Sequence, residues 1–213
     1  MVLKLSEYLY NPASMKLSTE PDYLQPYADA ARVHGGDFAS LLWASPRTQA
    51  ARFHAMRRMV TFHQRSILDV GCGRADFFDY LLAVGDRPDH YTGIEAVPDL
   101  AMIAAGKKYP DYLILQADFI VQPARLFTGA EVIVVCGALN TLGDDLFFEV
   151  LNNVAHTGTD ELIFNFLSSP YLAGRNYLHW RRPEVVEKFC SNLGAVEILE
   201  DYLEGDCTVR IEF

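Results

Sequence analysis

The chain has 213 residues, half of them hydrophobic, and a formal net charge of −10 at pH 7. This length and apolar content suffice for one sizeable domain with a packed core, alone or with a small extension. The negative charge disfavours a protein whose main work is to grip the phosphate backbone of nucleic acid. No apolar run approaches the ~20 residues that are needed to span a membrane.

The cysteines indicate the compartment. Cys72, Cys136, Cys190 and Cys207 form no C-x-x-C pair, whereas zinc sites and dithiol redox sites use such pairs. We therefore predict reduced thiols and no metal site. The first residues lack the long apolar segment of a secretory signal, so we expect a cytoplasmic protein.

The first part of the chain predicts a helical extension. Prolines, tyrosines and paired glycines are interspersed through residues 1–40, a composition typical of short helices and loops. Ser45 and Pro46 then have the order of an N-cap and a first helical residue, which predicts a helix to about Phe62. Arg52 lies on or beside the apolar stripe of this helix, and a charged group facing inward needs a partner.

From Ser66 onward, strand-like and helix-like segments alternate. Apolar strands separated by helices indicate a parallel sheet covered on both faces. At the end of the chain, apolar and polar residues alternate on either side of the turn Glu204-Gly205-Asp206, which predicts an antiparallel hairpin. The predicted strands are 67–70, 91–94, 112–116, 131–136, 161–167, 196–199 and 207–213, and the predicted helices are 74–84, 98–109, 123–127, 143–156 and 183–192.

A glycine loop follows the first of these strands, in Asp69-Val70-Gly71-Cys72-Gly73. Glycines at a strand-to-helix turn permit positive φ and let a ligand lie against the backbone, and the helix start offers free N–H groups. Asp69 would either accept N–H groups of this loop or contact the ligand. Glu95 and Asp118 follow the next two strands, at the edge of the sheet where ligands bind. An acid at the position of Glu95 is placed to accept hydrogen bonds from two ribose hydroxyls.

The glycine spacing disfavours NAD as the ligand. The dinucleotide pattern G-x-G-x-x-G places its third glycine three residues after Gly73, and this position holds Asp76. A charged side chain there opposes close packing and faces the pyrophosphate, while the small residue, Ala75, lies one place earlier. The terminal hairpin also differs from the usual ending of a dinucleotide dehydrogenase. An NAD-linked oxidoreductase is kept as an alternative.

Three segments together resemble the first three motifs of the class I S-adenosylmethionine (SAM)-dependent methyltransferases, and the resemblance extends from about Ser66 to Phe213. It implies an α/β, three-layer Rossmann-like fold with a seven-stranded sheet of order 3-2-1-4-5-7-6, strand 7 antiparallel, and helices on both faces. We expect residues 63–213 to form this domain and residues 1–62 to form an N-terminal helical extension or lid. The three segments are Ile67-Leu68-Asp69-Val70-Gly71-Cys72-Gly73, Tyr91-Thr92-Gly93-Ile94-Glu95 and Gln116-Ala117-Asp118-Phe119.

The resemblance also implies SAM as the cofactor. Gly71 and Gly73 would approach its methionine part, Glu95 would hold the ribose, and Asp118 with Phe119 would contact the adenine. Arg52 is a candidate partner of the cofactor carboxylate, against the alternative of an arginine that reaches solvent. The predicted cofactor-binding residues are Arg52, Asp69, Gly71, Cys72, Gly73, Glu95, Ala96, Asp118, Phe119, Cys136 and Gly137.

The acceptor is predicted to be a small molecule. The resemblance implies that residues 131–142, which include Val135-Cys136-Gly137-Ala138-Leu139-Asn140, correspond to the family's fourth motif, beside the reactive methyl, and this segment lacks the Asn/Asp-Pro-Pro-Tyr/Phe signature of base methylators. Residues 43–53 resemble a W-x-S-x-x-x-Q-x-x-R-F element found in some small-molecule members. His179 and Asn140 are catalytic candidates, against the alternatives of a surface histidine and a turn residue.

We therefore expect a SAM-dependent methyltransferase with a small, uncharged or cationic acceptor and no nucleic-acid or membrane partner. The acceptor would lie between the lid and the loops after strands four and five. There, Tyr171, Tyr177 and Trp180 would either wall the pocket or cap the sheet. Besides the oxidoreductase, a catalytically silent cofactor-binding scaffold is the other alternative.

Overall fold

The computed structural model describes residues 21–213. Its strands form one seven-stranded sheet in the order β3-β2-β1-β4-β5-β7-β6. All neighbouring strands run parallel except β7, which is antiparallel to both β5 and β6. The predicted sheet order and the reversed seventh strand are thus confirmed. The strands are β1 Ser66–Val70, β2 His90–Glu95, β3 Tyr112–Gln116, β4 Val132–Val135, β5 Glu161–Leu167, β6 Ala195–Leu199 and β7 Asp206–Glu212.

The helices lie between the strands, as the sequence predicts, with one difference in type. The segment that begins at Pro123 forms a single 3-10 turn, Pro123–Leu126, because only a few residues separate it from the glycine turn at Gly129. Two further 3-10 helices are Phe38–Leu41 and Ala138–Thr141. The α-helices of the described residues are α1 Gln25–His34, α2 Pro46–Met59, α3 Asp76–Ala83, α4 Pro98–Gly106, α5 Asp144–Ala155 and α6 Pro183–Cys190.

Two apolar clusters cover the two faces of the sheet, because successive side chains of a strand point to opposite faces. Leu68 and Val70 of β1 pack in the cluster that contains α5 and α6, represented by Phe147 and Val186. Ile67 of the same strand packs in the other cluster, with residues of α2, α3 and α4. The strands near the centre are therefore buried on both sides, and the predicted three-layer architecture is confirmed.

Helix α2 begins as predicted. The Ser45 side chain accepts a hydrogen bond from the backbone N–H of Thr48 at 3.1 Å, and the Thr48 hydroxyl oxygen accepts one from the Ser45 N–H at 3.2 Å. This reciprocal cap fixes the start of the helix. Gln49 and Arg52 are buried along it together with Phe53, so the helix presents two polar side chains to the interior.

The described residues of the extension that precede α2 pack beside the carboxyl end of β2. Ala31 and Leu41 form a third apolar cluster with Val97 and Leu100, which come directly after β2 and in α4. Residues 1–20 of the predicted extension lie outside the described residues. Among residues 21–213, no helix is both long enough and apolar enough to cross a membrane.

Candidate functional site

The glycine loop between β1 and α3 is closely packed. Gly71 and Gly73 have φ values of 72° and 58°, a region that glycine adopts without strain. A Cβ atom on Gly71 would lie 2.4 Å from the Cβ of Ala138, in the loop after β4. Gly71 therefore brings the loops of two neighbouring strands into contact. Ala75 has φ 56° without being a glycine, at the residue before α3.

A large cavity lies at this edge of the sheet. The loops after β1, β2, β4 and β5, the turn between β6 and β7, and the described extension all border it. All of the predicted cofactor-binding residues except Asp118 line this cavity, as does Asn140. The sheet order explains the gathering, because it places the carboxyl ends of β2, β1 and β4 side by side.

Glu95 connects two loops of the cavity. Its Oε2 accepts a hydrogen bond from the Gly73 N–H at 2.7 Å, and its Oε1 accepts one from the Val97 N–H at 2.8 Å. The side chain is buried, and this burial raises its pKa against the opposing effect of the backbone donors. Each carboxylate oxygen keeps a second lone pair, so Glu95 can still accept from a ligand.

Asp69 lies at the end of β1 and is 2% exposed. The Tyr91 hydroxyl donates a hydrogen bond to its Oδ2 at 2.5 Å. Burial raises the pKa of Asp69 to about 7, and the neighbouring carboxylates Glu95 and Asp76 act in the same direction. Its hydrogen-bond partner is thus a tyrosine of β2 while Asp69 borders the cavity, and the two roles expected for it stay predictions.

Arg52 reaches the cavity from α2 and is paired with Asp206 at the start of β7. Its Nε donates to Asp206 Oδ2 at 2.7 Å, and its Nη2 bonds to the same oxygen. Both side chains are almost fully buried, and the guanidinium also stacks over the Trp43 ring at 4.8 Å from its centroid. Most of the binding capacity of Arg52 is therefore used within the protein.

The same network holds the loop after β4. The other oxygen of Asp206 accepts hydrogen bonds from the Tyr202 hydroxyl and, at 3.2 Å, from the side-chain amide of Asn165. Asn165 in turn accepts from the Gly137 N–H at 2.8 Å. The Asn140 side chain accepts from the Leu167 N–H at 3.1 Å. These bonds fix the backbone of the fourth-motif segment relative to β5 and β7.

Two predicted residues lie outside the cavity. The Asp118 carboxylate accepts hydrogen bonds from the Tyr23 hydroxyl at 2.7 Å and from the Ile120 N–H at 2.9 Å. His179 is exposed in a separate shallow depression beside the start of α5, and its backbone N–H donates to the Asn140 carbonyl at 2.8 Å. The catalytic assignment of His179 and the adenine assignment of Asp118 stay predictions.

Other cavity residues carry weak or no sequence signals. Tyr27 of α1 faces the cavity, and burial, followed by the negative charge of Glu95, raises the pKa of its hydroxyl above the ordinary value. Asp206, which pairs with the cavity residue Arg52, falls in a segment whose sequence predicts only a turn. Several leucines reach the cavity from the loops after β4 and β5 and from the β6–β7 turn. An apolar residue in a loop gives no hint of which cavity it will line.

No protein-family model matches this chain, and no curated protein matches it. Solved structures match it at low identity. A DhpI complex with SAM and HEP has 13% identity and a TM-score of 0.66, over 92% of this chain and 100% of DhpI. Magnesium protoporphyrin IX methyltransferase (ChlM) from Synechocystis PCC 6803 with bound SAH has 11% identity and a TM-score of 0.60, over 78% and 82% of the two chains.

Small RNA methyltransferase HEN1 is also similar, with 13% identity and a TM-score of 0.63 over 78% of this chain and 25% of that much longer chain. At these identities the likeness concerns the fold. The chain thus has the fold of class I SAM-dependent methyltransferases, as the sequence resemblance predicts. The acceptors named for these proteins differ, so the fold does not select an acceptor.

Proposed function

We propose that this chain is a SAM-dependent methyltransferase that acts on a small molecule. The observation that carries the proposal is the single cavity at the ends of β1, β2 and β4, where the glycine loop meets the buried Glu95. The reversed β7 supports the same reading, because it belongs to the fold shared with known methyltransferases. The proposed compartment is the cytoplasm, as the reduced cysteines suggest.

The donors and acceptors of the cavity suit SAM. We assign the free lone pairs of Glu95 to the ribose hydroxyls, the backbone of Gly71 and Gly73 that borders the cavity to the methionine part, and Phe119 to the adenine ring. Asp118 would bind the adenine amino group while sharing its carboxylate with Tyr23. The remaining residues assigned to the cofactor are Arg52, Asp69, Cys72, Ala96, Cys136 and Gly137.

Arg52 has a narrower role than the sequence suggests. A guanidinium has five N–H donors, and Asp206 engages its Nε and Nη2. A cofactor carboxylate would therefore meet the remaining amino group, Nη1. We propose that Asp206 orients this group as well as neutralising the charge.

When bound, SAM supplies a methyl group on a positively charged sulfur, already activated for displacement. The chain then has to align the acceptor with this methyl and keep water out. Leu41, Leu42 and Trp43 of the extension border the cavity, which supports the proposed lid of residues 1–62. Asn140 is tied to the backbone of β5, so we assign it to positioning rather than to proton transfer.

Calorimetry and a methyl-transfer screen test the proposal. We expect the chain to bind SAH, the demethylated product of SAM, and to give no response with NAD. NAD binding without SAH binding would favour the oxidoreductase. In three separate incubations, the chain would be mixed with methyl-labelled SAM and a metabolite extract, total RNA or a protein extract. We expect label to appear in the metabolite fraction. SAH binding without any label transfer would favour the silent scaffold.

A further inference from the structure

The cavity has two halves of different chemistry. Four of the five described charged residues that border it, Asp69, Arg74, Asp76 and Glu95, lie with β1, β2 and α3, and the fifth, Arg52, comes from α2. On the other side, five leucines come from the loops after β4 and β5 and from the β6–β7 turn. We call them the leucine half: Leu142, Leu167, Leu172, Leu178 and Leu203. The sheet order keeps the halves apart, because β1 separates β2 and β3 from β4, β5 and β7.

Two polar groups beside the leucine half are already engaged. Arg52 is neutralised by Asp206 within a buried ion pair, and the Asn140 side-chain oxygen accepts from the Leu167 N–H. Because Asp206 balances the charge of Arg52 and the open Nη1 is assigned to the cofactor carboxylate, a charged group of the acceptor would lose its hydration here without gaining a partner of opposite charge. Burial of an unpaired charge is strongly unfavourable, whereas burial of apolar surface contributes about 25 cal/mol per Å².

Tyr171, Tyr177 and Trp180, for which the sequence left open a pocket wall or a cap on the sheet, are not among the residues that line the cavity. Tyr171 and Trp180 are 78% and 42% exposed. Leu172 and Leu178 of the same loop line the cavity instead. A cation beside these leucines would therefore find no aromatic face of this loop to stack against, and Trp43, which lines the cavity from the extension, already stacks with Arg52. This narrows the sequence prediction, which allowed a cationic acceptor.

The Tyr27 hydroxyl is an open polar group of the cavity. Within the described part of the chain, the Tyr27 hydroxyl makes no hydrogen bond, and it interacts electrostatically with Glu95, Arg52 and Tyr177. It lines the cavity, and its raised pKa keeps it a neutral phenol. A neutral hydroxyl offers one donor and an acceptor to an uncharged polar group of a ligand.

We infer that the acceptor is an uncharged molecule whose apolar body occupies the leucine half, with its polar group directed toward Tyr27. This rests on the proposed function, because the other half is assigned to the cofactor. The loops after β5 and β6 would then form the surface that selects the acceptor. Leu172 packs on the β6–β7 turn, since a Cβ atom added to Gly205 would lie 3.2 Å from the Leu172 side chain. The size and apolarity of the acceptor are thus set by both loops together.

Three probes with one ring system and different charges test the inference. We would titrate 1-naphthalenemethanol, 1-naphthoate and 1-naphthylmethylammonium into the protein saturated with SAH. The neutral alcohol should bind at least about tenfold more tightly than either ion. Either ion binding as tightly as the alcohol would overturn the inference.

Substitutions in the leucine half test whether the alcohol binds there. Leu172→Asn and Leu178→Asn should each weaken binding of the alcohol about tenfold, since each removes a buried apolar contact, and should leave SAH affinity unchanged. Leu113→Asn is the matched control, because Leu113 is an exposed leucine of β3 outside the cavity. Alcohol binding that both variants leave unaltered would contradict the inference. Absence of SAH binding by the unmodified chain would instead contradict the proposed function.

Discussion

Glu95 combines two tasks in one side chain. It accepts hydrogen bonds from Gly73 and Val97 and is assigned to the cofactor ribose. Glu95→Ala should therefore weaken SAH binding by at least about tenfold and lower the free energy of unfolding without ligand by about 3 kcal/mol, since two charge-assisted bonds to buried donors are lost. Calorimetry and urea denaturation measure the two effects.

Glu149→Ala is the control for this change, because Glu149 is an exposed glutamate of α5 outside the cavity. It should alter neither quantity appreciably. A Glu95→Ala protein of unchanged stability but weakened SAH binding would show that the bonds to the two loops contribute little.

Asp69 gives the protein a pH-dependent stability. Its pKa rises from an ordinary value of 3.8 to about 7 on folding, mainly through burial. Between these values the folded state holds a proton that the unfolded state has released. The stabilisation is complete below pH 3.8 and is lost as the pH rises through 7. Asp69→Asn should flatten this decline and keep an acceptor for the Tyr91 hydroxyl.

Urea midpoints from about pH 5 to about pH 8 would measure the decline in the unmodified chain and in the variant. Asp89→Asn, at an exposed site, should follow the unmodified chain. If the urea midpoints of Asp69→Asn and the unmodified chain fell in parallel with pH, a group other than Asp69 would cause the pH dependence.

The sequence predicts the part of the cavity around the glycine loop and Glu95 better than it predicts the Arg52–Asp206 pair and the leucine half. Gly71, Gly73 and Glu95 belong to one strand-turn-helix unit and the strand beside it, so spacing alone relates them. Arg52 and Asp206 are 154 positions apart. Their pairing depends on how α2 crosses the sheet and on β7 entering between β5 and β6, which no local pattern encodes. The leucine half is assembled from three separate loops in the same way.

At the scale of elements, α2 is attached to the hairpin of β6 and β7 by two ion pairs of contrasting environment. Arg52–Asp206 is buried, whereas the side chains of Arg58 and Asp201 are 41% and 66% exposed. Asp206→Asn should lower the free energy of unfolding by about 3–5 kcal/mol, because the Arg52 charge stays buried without its partner.

Asp201→Asn is the matched control and should change the urea midpoint little, since an exposed pair is solvated with or without its partner. Equal effects of the two substitutions would refute the idea that the buried pair anchors α2. SAH affinity provides a second readout. It should fall in Asp206→Asn and persist in Asp201→Asn if Asp206 orients Arg52 toward the cofactor.

Element types follow from the sequence where segments are long. The helices and strands of the β1 to β5 region, the Ser45 cap and the terminal hairpin are predicted close to their observed limits. The sequence predicts the ends of helices and strands less well. Helix α2 stops at Met59 because Val60 is already extended, although the apolar pattern continues to Phe62. The pattern records burial, and Phe62 is buried without being helical.

For the whole molecule, the described extension and the sheet domain enclose the cavity together. Tyr23, just before α1, and Tyr27 of α1 line it, and the third apolar cluster joins Ala31 and Leu41 to the residues after β2. This contact of residues 21–45 is small compared with the two clusters that cover the sheet, to one of which α2 belongs. Opening of residues 21–45 is therefore expected to cost less free energy than unfolding of the domain.

Limited trypsin digestion tests whether the extension is a lid. The Arg32 side chain in α1 is 70% exposed, and cleavage after it requires local unfolding of the helix. If opening releases the cofactor, SAH at about 100 times its dissociation constant should slow this cleavage by up to about 100-fold. Cleavage after Lys188, an exposed residue of α6 away from the cavity, should keep its rate. Because the two sites are cut in the same digestion, equal slowing would indicate general stabilisation, and unchanged cleavage after Arg32 would show that residues 21–45 do not close over the cofactor.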